Sequence, residues 1–218
     1  MPAREPAARK PDPDRTRRDI LEVARAEFVE HGLAGARVDA IAERTATTKR
    51  MIYYYFGSKE GLYSAVLQQA YAGIRTAEAD LALDDLDPET AMRRLIDLTF
   101  DYHDEHPDFV RLVSIENIHQ GAYLRRLGTI GEVNAGIIHT LSRIVARGVE
   151  AGLFHRSADP VDLHMLISAP CFYRVSNQHT FGAIFGRDLQ APEVRQAHRR
   201  LVADMVLAWL RGGAADER

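Results

Sequence analysis

"TTKRMIYYYFGSKE", residues 47–60, sets three consecutive tyrosines beside a Lys–Arg pair. A buried helix would carry aliphatic side chains here, and a solvated one would not expose three rings. At roughly 100° per residue on a helix, Ile52, Tyr55 and Phe56 share about a third of the circumference. Lys49, Arg50, Met51, Tyr53 and Tyr54 occupy the rest. Ile52 and Phe56 can pack on Ile41 and Ala42 of a preceding short helix. The opposite face then offers cations and phenol hydroxyls to a partner, and DNA fits it. Lys and Arg bond guanine edges or phosphates, and tyrosine hydroxyls reach phosphate oxygens. Ser58-Lys59-Glu60 opens a further helix whose free N–H groups and dipole favour a phosphate.

On either side of this stretch the chain reads as helical throughout, with no alternating strand pattern. A first helix starts near Arg15 and ends at His31-Gly32, with Ile20, Ala24 and Phe28 as its core stripe. A second covers about Val38–Arg44 and a third about Lys49–Phe56, with Thr47 and Thr48 as capping hydroxyls. Two short helices joined by "TATT" make a helix-turn-helix, the second presenting its cations. A fourth helix is expected over about Lys59–Leu83 and a fifth from Asp87-Pro88 to His106. Others are expected over about Asp108–His119, Tyr123–Ala151, Pro160–Phe181 and Pro192–Arg211.

The sequence "ILEVARAEFVEHGLAGARVDAIAERTATTKRMIYYYFGSKEGLYSAVL" closely resembles the DNA-binding domain of the TetR (tetracycline-repressor) family. The matching pieces are A-x-x-x-F-x-x-x-G at Ala24–Gly32, V-x-x-I-A at Val38–Ala42 and I-Y-x-Y-F-x-S-K-E at Ile52–Glu60. They span about residues 16–67. The resemblance implies an all-α protein with a flexible tail at 1–14, a helix-turn-helix domain at 15–67, and a ligand-binding, dimerising helical domain at 68–218. It makes Lys49–Phe56 the recognition helix, Lys59 a phosphate contact and Tyr53 a phosphate-binding tyrosine. The candidate DNA contacts are Arg37, Thr48, Lys49, Arg50, Met51, Tyr53, Tyr54, Tyr55 and Lys59. Three positions depart from the family pattern: Ala46 stands where glycine is usual, Thr47 where an apolar residue is usual, and Arg50 where a small one is common.

The C-terminal part is less diagnostic. "IENIHQGAYLRRL" at 115–127 and "FYRVSNQHTFGAIFG" at 172–186 resemble the subgroup containing the pyrimidine-utilisation repressor. Polar groups within apolar helices mark a candidate pocket for a small organic inducer: Glu116, Asn117, His119, Tyr123, His139, Phe172, Tyr173 and Asn177. The alternative for each, favoured for any single one, is a hydrogen-bonded core or interface residue. On the last helix Val194, His198, Leu201, Val202, Met205 and Trp209 form a stripe. By resemblance to the family it is the homodimer interface.

Composition excludes little more. Net charge is −3, with 12 Lys/Arg against 10 Asp/Glu in residues 1–60 and the acidic excess elsewhere. A single cysteine, Cys171, allows no internal disulfide and reads as a buried hydrophobe, or as a redox-sensing thiol. His103 and His106 have a spacing that can hold zinc or nickel, or simply end a solvated helix. No run is long and apolar enough to span a bilayer, and residues 1–19, with their charges and prolines, lack the apolar stretch expected of a secretory signal. The expectation is a cytoplasmic regulator with no membrane association, no cofactor and no resident metal. No motif of nucleophilic, phosphate-binding or zinc-hydrolase chemistry is found, so no catalytic residue is assigned. An enzyme, or a helical scaffold without DNA binding, are the competing classes.

Overall fold

The computed structural model describes residues 12–128 and 130–212. They form ten α-helices and one short 3-10 turn, with no strand among the described residues. The chain divides into two compact units, with the division after Leu67.

The first unit contains α1 (Pro13–Gly35), α2 (Val38–Arg44), α3 (Lys49–Phe56) and the start of α4 (Lys59–Ala79). α1 begins two residues before the sequence expectation, because Asp12 accepts the Asp14 N–H and Pro13 occupies the first turn. The expected tail over 1–14 is corrected accordingly; its residues 1–11 lie outside the described residues. Gly32 (φ 66°) interrupts the helical geometry of α1, and one further turn follows it to Gly35. Ile20, Ala24 and Phe28 are fully buried with Ile41, Ile52 and Leu62. Phe28 meets Tyr63 edge-on, with ring centroids 5.1 Å apart. Burying each such large side chain contributes about 1.5–3 kcal/mol. Buried Glu27 ties α1 to α2: its Oε1 accepts the Arg37 N–H at 3.0 Å, and Oε2 lies 3.8 Å from Arg44.

The second unit holds the rest of α4 and α5 (Pro88–Glu105), α6 (Pro107–Ile118), α7 (Ile130–Glu150), α8 (Pro160–Ser176), α9 (Gln178–Phe185) and α10 (Pro192–Arg211). α5 is central, packed on α6, α7, α8 and α10. Its Met92, Leu95, Ile96 and Phe100 are buried with Leu141, Ile167, Cys171, Ala203 and Leu207. Cys171 Sγ donates to the Ile167 carbonyl at 3.2 Å. On the other side of α5, Asp97, Asp101 and Asp104 recur every three or four residues and so share a face. They pair with α10, Arg199 with Asp97 (3.0 Å) and Asp101 (2.8 Å), and Arg195 with Asp101 (2.8 Å). Asp104 also pairs with Arg195 and with buried Arg174 of α8.

Three expected helices differ. α4 stops at Ala79 rather than Leu83. The single helix expected over Tyr123–Ala151 is a turn, a 3-10 segment at Arg125–Leu127 and then α7, with Gly128 at φ 61° between the last two. Buried Glu116 accounts for the turn, accepting the N–H groups of Tyr123 (2.8 Å) and Leu124 (3.0 Å). The helix expected over Pro160–Phe181 continues through Pro170 but breaks at Asn177 (ψ 7°), and α9 starts afresh.

Candidate nucleic-acid interface and ligand cavity

α3 is anchored from one side. Ile52 is fully buried, and the Thr48 hydroxyl accepts the Met51 N–H at 3.2 Å, capping the first turn. Gly57 (φ 76°) closes the helix, and α4 follows so tightly that a Cβ on Gly61 would sit 2.0 Å from the Phe56 carbonyl oxygen. Glycine at both positions lets α3 end abruptly against α4. The opposite face of α3 is left to solvent: Arg50, Met51 and Tyr53 are exposed, and Tyr54 is 78% exposed. Tyr55 is half-buried, its ring 5.5 Å from that of Tyr54 and edge-on. Lys49 is exposed but paired with Asp39 of α2 at 3.1 Å. Lys59 donates to the Ala34 carbonyl at 3.1 Å. Arg37 has an exposed side chain at the start of α2. The turn between α2 and α3 forces Ala46 to φ 48°, a conformation glycine adopts far more readily.

In the second unit, α4, α5, α6, α7 and α8 surround a cavity of about 300 Å³. Ile74, Phe109, Val113, Met165 and Phe172 supply apolar wall; Tyr71, Arg75, His103, Asn117, Asn134, His164 and Ser168 supply polar groups. His164 is held down to about 4 by burial first and then by the Arg75 charge. His103 is lowered by burial too, and its Nδ1 lies 2.7 Å from the Thr99 carbonyl, so that nitrogen carries the proton. Both imidazoles are therefore neutral at pH 7. Burial raises Glu78, the ionic partner of Arg75, to about 7.

Of the eight sequence-predicted pocket residues, only Asn117 and Phe172 line this cavity. Glu116 is spent on the turn described above, and His119 and Tyr123 stack edge-on at 5.6 Å beside it. His139 is exposed on α7. Tyr173 is 54% exposed and lines a separate apolar groove with Leu201 and Met205. Asn177 donates to its neighbour Ser176 at 2.8 Å where α8 ends. The shared pocket of Glu116, Asn117, His139 and Asn177 is thus corrected. Arg75 and His164 escaped sequence reading, because one charged residue per helical turn looks like a solvated face. His103 and His106 both turn Nδ1 back on carbonyls of α5, and His106 stacks on Tyr102 at 4.0 Å; no group of three or more His, Cys, Asp or Glu side chains able to hold a metal is found among the described residues.

Along α10, Leu201, Met205 and Trp209 remain exposed, and α8 adds Val161, Met165 and Leu166. Val194 and His198 are half-buried. Val202 is 4% exposed and belongs to the core, which removes it from the predicted interface.

A helix-turn-helix carrying an exposed cationic and aromatic face, on a chain with a separate helical unit around a cavity, defines a bacterial-type DNA-binding regulator. Residues 20–66 match the family described as "Bacterial regulatory proteins, tetR family". Residues 88–206 match "Tetracyclin repressor-like, C-terminal domain". The chain belongs to the TetR family. Among its relatives is the HTH-type transcriptional repressor NicS of Pseudomonas putida, 35% identical over 211 residues, 97% of this chain and 100% of the relative. The HTH-type transcriptional regulator RutR of Escherichia coli is 32% identical over 148 residues, 68% of this chain and 66% of the relative. Solved structures agree in fold. The TetR-family regulator PfmR of Thermus thermophilus superposes with a TM-score of 0.61 at 26% identity, covering 88% of this chain and 98% of that one. A tetR-family regulatory protein from Rhodococcus RHA1 gives 0.71 at 16% identity, covering 92% and 98%. No described helix is long and apolar enough to cross a membrane.

Proposed function

We propose that this chain is a homodimeric repressor that leaves its operator when a small organic molecule enters the cavity of the second unit. The observation that carries the reading is the exposed face of α3: Arg50, Tyr53 and Tyr54 stand in solvent on a helix locked from behind by Ile52 and capped by Thr48. A scaffold has no use for such a face. On an operator, Arg50 reads a base edge, the tyrosines and Lys59 bond phosphates, and α3 lies in the major groove. Lys59 keeps two further N–H donors beyond the one given to Ala34.

Two copies meet through the exposed apolar residues of α8 and α10, which places two α3 helices on one palindromic site. Release then requires a ligand that binds better to the arrangement that misfits the operator, because only differential affinity moves the equilibrium. α4 is suited to carry the coupling: it opens with Lys59 and later contributes Tyr71, Ile74 and Arg75 to the cavity.

The test is a mobility shift with the DNA upstream of the chain's own gene, repeated with candidate metabolites. A specific complex is expected, weakening by about 10³–10⁵ between 50 and 200 mM salt if six to ten phosphates are contacted. Failure to bind that DNA, together with a flat salt dependence on any duplex, excludes the reading.

A further inference from the structure

The Arg75–Glu78 pair is left unfinished by the protein. The Arg75 side chain is 12% exposed and that of Glu78 5%, and Nη2 lies 3.1 Å from Oε1. This is an ion contact without hydrogen-bond alignment. Nε and Nη1 of the guanidinium and both carboxylate oxygens are buried with no hydrogen-bond partner among the described residues. Buried polar atoms are bonded in the great majority of cases, so the two orphan donors of Arg75, a residue of the cavity wall, call for another partner.

The sign of that partner follows from the lining. Arg75 is the one permanently charged group among the described residues around the cavity; the others are two neutral histidines, tyrosine, amides, a hydroxyl and apolar side chains. Its field reaches across the space, since it helps to hold both His164 and His103 in their neutral forms. Glu78 lines a different recess, with Asp84 and Asp85, and offsets the Arg75 charge only in its ionised form. The cavity therefore presents one permanent charge, the Arg75 guanidinium, in a space close to 300 Å³ lined also by Phe109 and Phe172. That volume is at the small end of ligand sites, which run from about 300 to 1,000 Å³.

We infer that the cavity takes a compact ring-bearing carboxylate, its anionic end on Arg75 and its ring against the apolar wall that Phe109, Val113 and Phe172 supply. This rests on the reading of the cavity as the effector site, but it concerns the class of ligand and not the response to it. A carboxylate satisfies the guanidinium with charge-assisted bonds that a neutral amide of the same shape does not make. An amine meets the Arg75 charge.

The experiment uses the full chain without DNA. Thermal shift and calorimetry are run with benzoate and 4-hydroxybenzoate, with benzamide as the neutral isostere and benzylamine as the cation. At millimolar concentration the acids are expected to raise the melting temperature and to bind at least about tenfold tighter than the amide. Arg75→Gln is expected to erase that preference, and Arg75→Lys to keep part of it. Amide binding equal to acid binding, or no shift with either acid, overturns the inference. An Arg75→Gln protein that folds and still prefers the acids overturns it as well. If that variant does not fold, the acid-against-amide comparison on the unaltered protein decides. Acids that bind without loosening the operator complex would leave this inference standing and remove the proposed mode of release.

Discussion

Lys49 Nζ lies 3.1 Å from Asp39 Oδ2, an exposed ion pair that links α3 to α2 on the face proposed to meet DNA. Such pairs are worth little to stability, with a median of about 0–1 kcal/mol. The consequence for DNA is larger, because an anion beside the presented cations repels phosphate. Asp39→Asn should tighten binding to random duplex and steepen the salt dependence by roughly one to two phosphates per dimer, at unchanged fold. Fluorescence anisotropy over a salt series measures this. An unaltered slope would mean that Lys49 does not face the backbone.

Arg50 and Lys59 should separate by the kind of DNA. Arg50→Ala is expected to cost about 1–3 kcal/mol on the operator and little on random sequence, if its side chain reads a guanine. Lys59→Ala should weaken both by similar factors, as phosphate contacts carry no sequence information. Competition binding with the two duplexes gives the ratio, and equal losses for Arg50→Ala would assign it to the backbone.

Ala46 is held at φ 48° and is exposed, so replacing it removes strain without removing packing. The left-handed conformation costs a non-glycine residue about 1–2 kcal/mol, and glycine returns part of that through greater freedom in the unfolded chain. Ala46→Gly should therefore stabilise the helix-turn-helix unit by about 0.5–1 kcal/mol in urea denaturation. Ala46→Val should destabilise it.

Two buried groups in the second unit give opposed pH dependences. Glu78, raised from 4.5 to about 7 by burial, holds a proton in the folded chain that the unfolded chain releases. The stability tied to that proton is complete below about 4.5 and is lost as pH rises through 7. His164, lowered from 6.5 to about 4, behaves in reverse: its contribution is complete above 6.5 and is lost as pH falls through 4. Glu78→Gln should make stability rise more steeply from pH 5 to 7 than in the unaltered protein, and His164→Gln should make it rise less. Melting temperatures across that range check both signs, and parallel curves for all three proteins would refute the assignment.

Met205→Glu places a charge on the exposed apolar face of α10, where Met205 is 51% exposed. In the proposed dimer, burying that charge twice across a symmetric interface should shift dimer to monomer while the helical signal persists. Sedimentation reads the outcome directly. A dimer of undiminished affinity would move the interface off α10.

The parts of the fold legible in the sequence are those determined locally. Thr48 caps α3, Asp87 caps α5, and the Ile20–Ala24–Phe28 stripe finds the core, because each is set by neighbours within one helical turn. Helix ends set from a distance were not legible. Glu116 bonds backbone seven and eight residues on, and nothing near Tyr123 announces that an acid elsewhere will end its helix. The cavity suffers the same limit. Arg75 and His164 matter because of what buries them, and periodicity reports a helix face without saying which neighbour covers it. Polar residues inside apolar runs were a poor guide: His139 sits in such a run and still faces solvent.

Cys171 carries one more consequence. With Sγ bonded to the Ile167 carbonyl and burial pushing the thiol up to about 12, it is almost wholly protonated at neutral pH and so a poor nucleophile toward peroxide or alkylating reagents. It is also the one thiol in the chain. Labelling of the native protein thus becomes a stopwatch on the interior: the reagent waits until α8 parts from α5, and the rate counts those partings. A molecule that occupies only the closed form should slow the stopwatch in proportion to its saturation. Occupancy can then be followed without DNA and without a chromophore on the ligand.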